Sequence, residues 1–187
     1  MKKTETGIDA ISYPMPCSLV GANVDGKPNY LTVAFFSMVN VKPPFIAVSL
    51  GKVHYTNPGI KGNGTFSVNI PSKEMIEAID YCGIVSGKKY DKSSLFGTFY
   101  GKLKTAPMIE ECPYNLECKL VQTVELPVDE IFIGEIVAAY SDERYLTNGA
   151  PDLGKMDPVF LSMPDRTYWS IGNNFAKAWE VGKKLLK

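Results

Sequence analysis

With 187 residues, 45% of them hydrophobic, and 20 Lys+Arg set against 20 Asp+Glu, the chain has the length of one domain with a sizeable core and no net field to draw it onto nucleic acid or an anionic bilayer. Its expected partners are small molecules or another subunit. The opening MKKTETGIDAISYP places Glu5 and Asp9 where an export signal needs an apolar run, and no stretch approaches the roughly 20 apolar residues of a membrane span, so a cytoplasmic chain is expected.

In that compartment the four cysteines, Cys17, Cys82, Cys112 and Cys118, should be reduced. None forms a C-x-x-C pair, and a single histidine, His54, leaves no His/Cys cluster to hold a metal. Cys118 alternates with apolar neighbours in NLECKLV and reads as a core residue. Cys82, in DYCGIVSG, is kept as a possible site residue.

In chain order, CSLVGAN, NYLTVAFFSMVN and FIAVSLG read as three antiparallel strands of period two. Asp25-Gly26 marks a hairpin between the first two, and Pro43-Pro44 a sharp connection before the third. HYTNPGIKGNG then suits a short helix, with Thr56 as its cap, Pro58 in its first turn, and Gly62 and Gly64 at its end. TFSVNIP resumes the sheet. Ser72 caps an amphipathic helix in SKEMIEAIDYCG, and SGKKYDKSS follows as a basic loop. NLECKLVQTVEL and EIFIGEIVAAYSDE are two long strands about a turn at Pro127. LTNGAPDLGKMDP reads as irregular, and NNFAKAWEVGKKLLK carries Phe175, Ala178, Trp179 and Leu185 or Leu186 on one helical face. About seven strands and two or three helices without regular alternation indicate a mainly antiparallel β-barrel or sandwich, one domain over residues 1–187.

Several familiar motifs fail on spacing. CGIVSGKK has three residues between its glycines where a phosphate loop has four, and GNGTFS precedes a strand where a dinucleotide fingerprint precedes a helix. A Ser-His-Asp hydrolase would depend on His54, with no G-x-S-x-G elbow to present a serine. Glu110 and Glu111 adjoin Pro113 in a solvated turn and have no catalytic pattern. His54 reads as a loop residue.

The turn after it is more informative. A helix starting near Thr56 aims its free N–H groups, its positive dipole end and the Thr56 hydroxyl at one spot, which suits a phosphate, although capping alone also explains a threonine there. In NYLTVAFFSMVN, Thr32, Ala34, Phe36 and Met38 alternate with Leu31, Val33, Phe35 and Ser37. Such a strand can lie along a flat heteroaromatic ring, or simply fill a core.

Taken in order, YPMPCSLVGANVDGKPNYLTVAFFSMVNVKPPFIAVSL, HYTNPGIKGNGTFSVNIPS, DYCGIVSGKKYDKS, APMIEECPYNLECKLVQTVEL and IFIGEIVAAYSDE resemble the flavoredoxin branch of the flavin reductase-like, FMN-binding split-barrel family, from about Ile11 to the carboxyl-terminal helix. The resemblance implies a Greek-key split β-barrel, a homodimer, and non-covalent FMN near the subunit interface. It places Asn29, Thr32, Ala34, Phe35, Phe36 and Ser37 beside the isoalloxazine. Ser49, Lys52, Tyr55, Thr56 and Asn57 surround the ribityl phosphate, and Lys92 adds charge to it. The sequence departs from the family where phenylalanine, Phe35, replaces a common tryptophan and Asp129 replaces a common histidine. An acid is unfavourable beside an anion, so Asp129 is left out of the site.

The implied activity is electron transfer between a reduced donor, NAD(P)H or a protein, and a flavin, ferric or protein acceptor. The flavin itself carries that chemistry, so no catalytic side chain is expected. The alternatives are a redox-inactive flavin store or interaction module, and a barrel that binds single-stranded nucleic acid, against which the balanced charge speaks.

Overall fold

The computed structural model describes residues 1–7 and 14–186. Ile11 and Tyr13, at the start of the family-like stretch, and Lys187, at the end of the expected last helix, lie outside the described residues.

Asp25 and Gly26 have φ of 50° and 78°, the left-handed pair of a tight turn, and join β1 (Ser18–Val24) to β2 (Lys27–Val33) as the sequence indicates. The stretch expected to continue as one strand is instead two. Its ladder stops at Val33 and resumes as β3 (Phe36–Asn40), which pairs with β4 (Phe45–Gly51) and not with β1. Ala34 and Phe35 span the break, and the Phe35 carbonyl accepts the Ser49 N–H at 2.8 Å.

β5 (Thr65–Ile70), β6 (Tyr114–Glu125) and β7 (Asp129–Ser141) complete a seven-stranded sheet of order β2-β1-β5-β6-β7-β4-β3. Because β2 and β3 stand at opposite ends of that order yet follow each other in the chain, the sheet must curl until its ends meet. The result is the split β-barrel, with its split at Ala34 and Phe35. Val20, Val48, Phe66 and Phe132 fill its interior from alternate positions of their strands, each with no measurable exposure.

α1 (Thr56–Asn63) starts one residue earlier than expected: Tyr55 is the cap position and Thr56 already lies in the first turn, with no side-chain cap. Gly64, at φ 66°, ends the helix and donates to the Ile60 carbonyl at 2.9 Å. Ile60 anchors α1 in the barrel core. α2 (Ile76–Ile84) follows a 3₁₀ turn at Lys73–Met75, and the Ser72 hydroxyl bonds the Glu74 carboxylate at 3.0 Å instead of capping a backbone N–H. Ile79 and Cys82 of α2 pack with Leu19, Tyr30 and Val159 in a second core outside the barrel.

The stretch expected to be irregular contains a small hairpin, Leu146–Thr147 with Ala150–Pro151, and a helical turn at Leu153–Met156. Two strands unmarked in the sequence come next, β8 (Val159–Ser162) and β9 (Thr167–Ser170), with Met15–Pro16 paired to β8.

The carboxyl-terminal α-helix is not formed. Residues 171–177 have no regular structure and only a 3₁₀ segment, Val181–Leu185, is helical. An amphipathic helix draws most of its stability from burying its apolar face, and here Phe175 and Trp179 are 97% and 92% exposed. Gly172 and Gly182 weaken the helical alternative further. Among the described residues, no helix is long and apolar enough to cross a membrane.

Candidate functional site

Asn29 on β2 and Thr56 at the start of α1 are both buried, and the Asn29 amide donates to the Thr56 hydroxyl oxygen at 2.8 Å. That bond leaves the Thr56 O–H free to donate to a ligand. Lys92 arrives from the basic loop and, unusually for a lysine, is only 2% exposed. Its ammonium donates to the Tyr30 carbonyl at 2.9 Å and the Cys82 carbonyl at 3.0 Å, so one of its three protons is uncommitted. Burial pushes the Lys92 ammonium below its ordinary range.

Asn29, His54, Tyr55, Thr56, Lys92 and the 83–87 segment enclose a cleft of about 180 Å³. Gly87 is needed there, because a Cβ on it would collide with the Asn29 side chain. The available Thr56 hydroxyl proton and the buried lysine give this cleft the chemistry of an anion site.

A second cleft, about 330 Å³, shares Leu31 and His54 with the first and is lined by Thr32, Ala34, Phe35, Ser49, Asp129 and Leu161 among others. It continues past Phe35 into a third, where Phe36 and Ser37 join the wall. Phe35 is 51% exposed, a large ring placed at the break of the barrel with little of the burial a core residue has. The three clefts form one groove, polar and basic at one end and largely apolar at the other. That division matches a long ligand with a phosphate at one end and a flat ring system at the other.

The residues singled out in the sequence divide accordingly. Asn29, Tyr55, Thr56 and Lys92 line the polar end, and Thr32, Ala34, Phe35, Phe36 and Ser37 line the apolar end, where Ser49, expected at the phosphate, also lies because its β4 position pairs with Phe35 at the strand break. The Thr32 hydroxyl is committed to the Ile79 carbonyl. Tyr55 directs its hydroxyl to Asp25 at 2.8 Å. Two others point elsewhere. Lys52 pairs with Glu125 at 3.0 Å, and the Asn57 amide donates to buried Glu130 at 2.8 Å and to the Gly51 carbonyl at 3.1 Å. Neither borders the groove; Asn57 ties α1 to β7 and so positions the helix start.

Other groove residues were not picked out by their sequence pattern. Asp129, left out of the site in the sequence reading, stands on the wall of the second cleft. Met15, Leu161 and Met163 also reach it, brought in by the unmarked β8 strand. His54 stands where the first two clefts meet. Cys82 is withdrawn from the groove into the second core, where burial raises its thiol to about 11 and keeps it protonated.

Comparison with known proteins agrees with this geometry. The flavin reductase like domain model matches residues 10–154. The chain belongs to that family. It is similar to flavoredoxin from Methanosarcina acetivorans at 51% identity and a TM-score of 0.97, covering 99% of this chain and 100% of that one. Flavoredoxin of Desulfovibrio vulgaris (Miyazaki F) is similar at 37% identity and a TM-score of 0.90, with 97% and 100% covered. An uncharacterized protein of Archaeoglobus fulgidus is 33% identical over 144 residues, 75% of this chain and 80% of that protein.

Proposed function

We propose that the chain is an FMN-binding redox protein that carries electrons between a reduced donor, NAD(P)H or a protein, and a flavin, ferric or protein acceptor. The observation that carries this reading is the single groove joining the Asn29, Thr56 and Lys92 anion pocket to the apolar stretch at Phe35. Family membership and similarity to two flavoredoxins support a flavin as the occupant.

In this reading Asn29, Tyr55, Thr56 and Lys92 hold the ribityl phosphate. Thr32, Ala34, Phe35, Phe36 and Ser37 flank the isoalloxazine, joined by Ser49, which lies at this end of the groove and not at the phosphate. Bound FMN supplies the redox chemistry. The protein binds the cofactor, orients it and excludes water from one face. No side chain is assigned as acid or base in this reading, because the flavin itself carries the electron transfer.

A homodimer is part of the proposal. Phe175, Trp179, Leu185 and Leu186 are more than three-quarters exposed, as is Val41 beside β3, and a second copy would cover such surface. The cytoplasm, with NAD(P)H at hand, is the compartment that suits the reading.

The purified protein incubated with FMN should gain and retain a flavin absorption spectrum on gel filtration; a protein that stays colourless overturns the proposal. Steady-state oxidation of NADH or NADPH then assigns the donor. Turnover marks a reductase, and a flavin-loaded protein reduced only by a protein donor marks an electron carrier.

A further inference from the structure

The loop between β4 and α1 places the chain's single imidazole in an unusual position. His54 N–H donates to the Gly51 carbonyl at 3.0 Å, folding residues 51–54 into a turn that lays the ring across Gly51. A Cβ built on Gly51 would sit 3.3 Å from both His54 Cδ2 and Nε2, and 3.6 Å from Asp129 Oδ1. A side chain at residue 51 would crowd the imidazole, and the Asp129 carboxylate lies on the same side of the glycine.

This is the waist of the groove, and the ring borders both the anion pocket and the apolar cleft. The titratable groups around it are few. Lys92 faces it from the basic loop, Asp129 from the start of β7, and Tyr55 from the start of α1, its hydroxyl occupied by Asp25. From β2 and the β8 side the neighbours are Leu31, Leu161 and Met163, none of which carries charge. Burial and the nearby Lys92 ammonium hold the imidazole below its ordinary value, and Asp129 opposes them only in part. Near neutral pH the ring is therefore uncharged when no anion lies opposite Lys92.

We propose that His54 is a binding residue of the groove that takes up a proton when a phosphate ester enters the Asn29, Thr56 and Lys92 pocket. The proposal rests on the flavin reading of the groove. A phosphate dianion placed there outweighs the lysine charge, so the field at the imidazole changes from repelling a proton to attracting one. A negative charge placed near the imidazole favours its protonated form, opposing the burial and the Lys92 charge that hold it down in the empty groove. The imidazolium then adds a second cation to the phosphate grip, and binding of the phosphorylated flavin becomes tighter as pH falls. Riboflavin, with no phosphate, should show none of this coupling.

The test uses the intact protein. With one histidine in the chain, the imidazole proton resonances are unambiguous, and their pH titration can be followed without and with saturating FMN. The expected result is at least a tenfold rise in the protonation constant with FMN and none with riboflavin. An unchanged midpoint with FMN, or an equal rise with riboflavin, overturns the proposal. Calorimetry in two non-phosphate buffers of different ionisation heat gives a second readout: the wild type should take up more protons on binding FMN than His54→Gln does. Equal uptake in the two proteins overturns the role of His54 while leaving flavin binding intact, whereas absence of any FMN binding overturns the flavin reading itself.

Discussion

Asn29 and Thr56, 27 residues apart in the chain, meet through a buried 2.8 Å hydrogen bond that fixes the start of α1 against β2. The bond orients the threonine so that its proton is available to the groove, and it joins the two elements whose separation defines the anion pocket. Replacing Thr56 by valine keeps the shape and removes both functions of the hydroxyl. Thr56→Val should weaken FMN binding about ten- to a hundredfold, since one hydrogen bond to a charged group contributes about 1.5–3 kcal/mol. Thr56→Ser should restore most of the loss, and circular dichroism should show both variants folded. Unchanged FMN affinity in Thr56→Val would remove Thr56 from the phosphate site.

Lys92 should separate phosphate recognition from ring recognition. Its ammonium is buried against two carbonyls at the polar end and does not border the second or third cleft. In fluorescence titrations, Lys92→Met should bind FMN at least tenfold more weakly, while its affinity for riboflavin stays within about threefold of the wild type, because a charge-assisted phosphate contact is lost and the ring contacts remain. Equal loss for both ligands would mean that the variant has collapsed the groove.

Glu130 predicts a pH dependence of stability. Its side chain is 6% exposed and accepts from the Asn57 amide at 2.8 Å and from the Lys61 ammonium. Burial works to raise its carboxyl, but the bonds from Lys61 and Asn57 outweigh that and hold it below the ordinary value of 4.5. A carboxyl lowered in the fold stabilises it above the unfolded value, and that contribution is lost as pH falls through the lower folded value. Urea unfolding should find Glu130→Gln less stable than the wild type by about 1.5–3 kcal/mol at pH 7. The gap should narrow as pH is lowered through and below 4.5. A gap that stays constant would show that the charge of Glu130 is not what holds Asn57 and α1.

The carboxyl-terminal arm tests the proposed dimer. Among the described residues, Phe175, Trp179 and Leu185 are exposed and belong to neither hydrophobic core, so the arm adds little to the fold of a single copy. Truncation after Ser170 should move the mass measured by sedimentation equilibrium from dimer toward monomer while the far-ultraviolet spectrum keeps its β character. A dimer that survives truncation would place the interface on the sheet instead.

Much of the fold is local, and that part was readable in the sequence. Asp25-Gly26 fixes a hairpin because few other pairs accept two positive φ angles, and period-two runs can bury one face only as strands. The short helix after His54 ends at Gly64 for a similar reason. The family-like order of these segments identified the split barrel. What the tertiary structure decided depends on contacts between residues far apart in the chain. The strand from Asn29 breaks at Ala34 and Phe35 because closing the barrel demands that β2 and β3 join opposite edges, which no local pattern encodes. Asn57 and Lys52 turn from the groove because Glu130 and Glu125 wait on neighbouring strands. The last segment has a helical apolar stripe but no surface within one copy to bury it, and without that burial the stripe cannot hold a helix. His54 and Asp129, 75 positions apart, both approach Gly51 and border the same cleft, which places an isolated loop histidine at the middle of the groove.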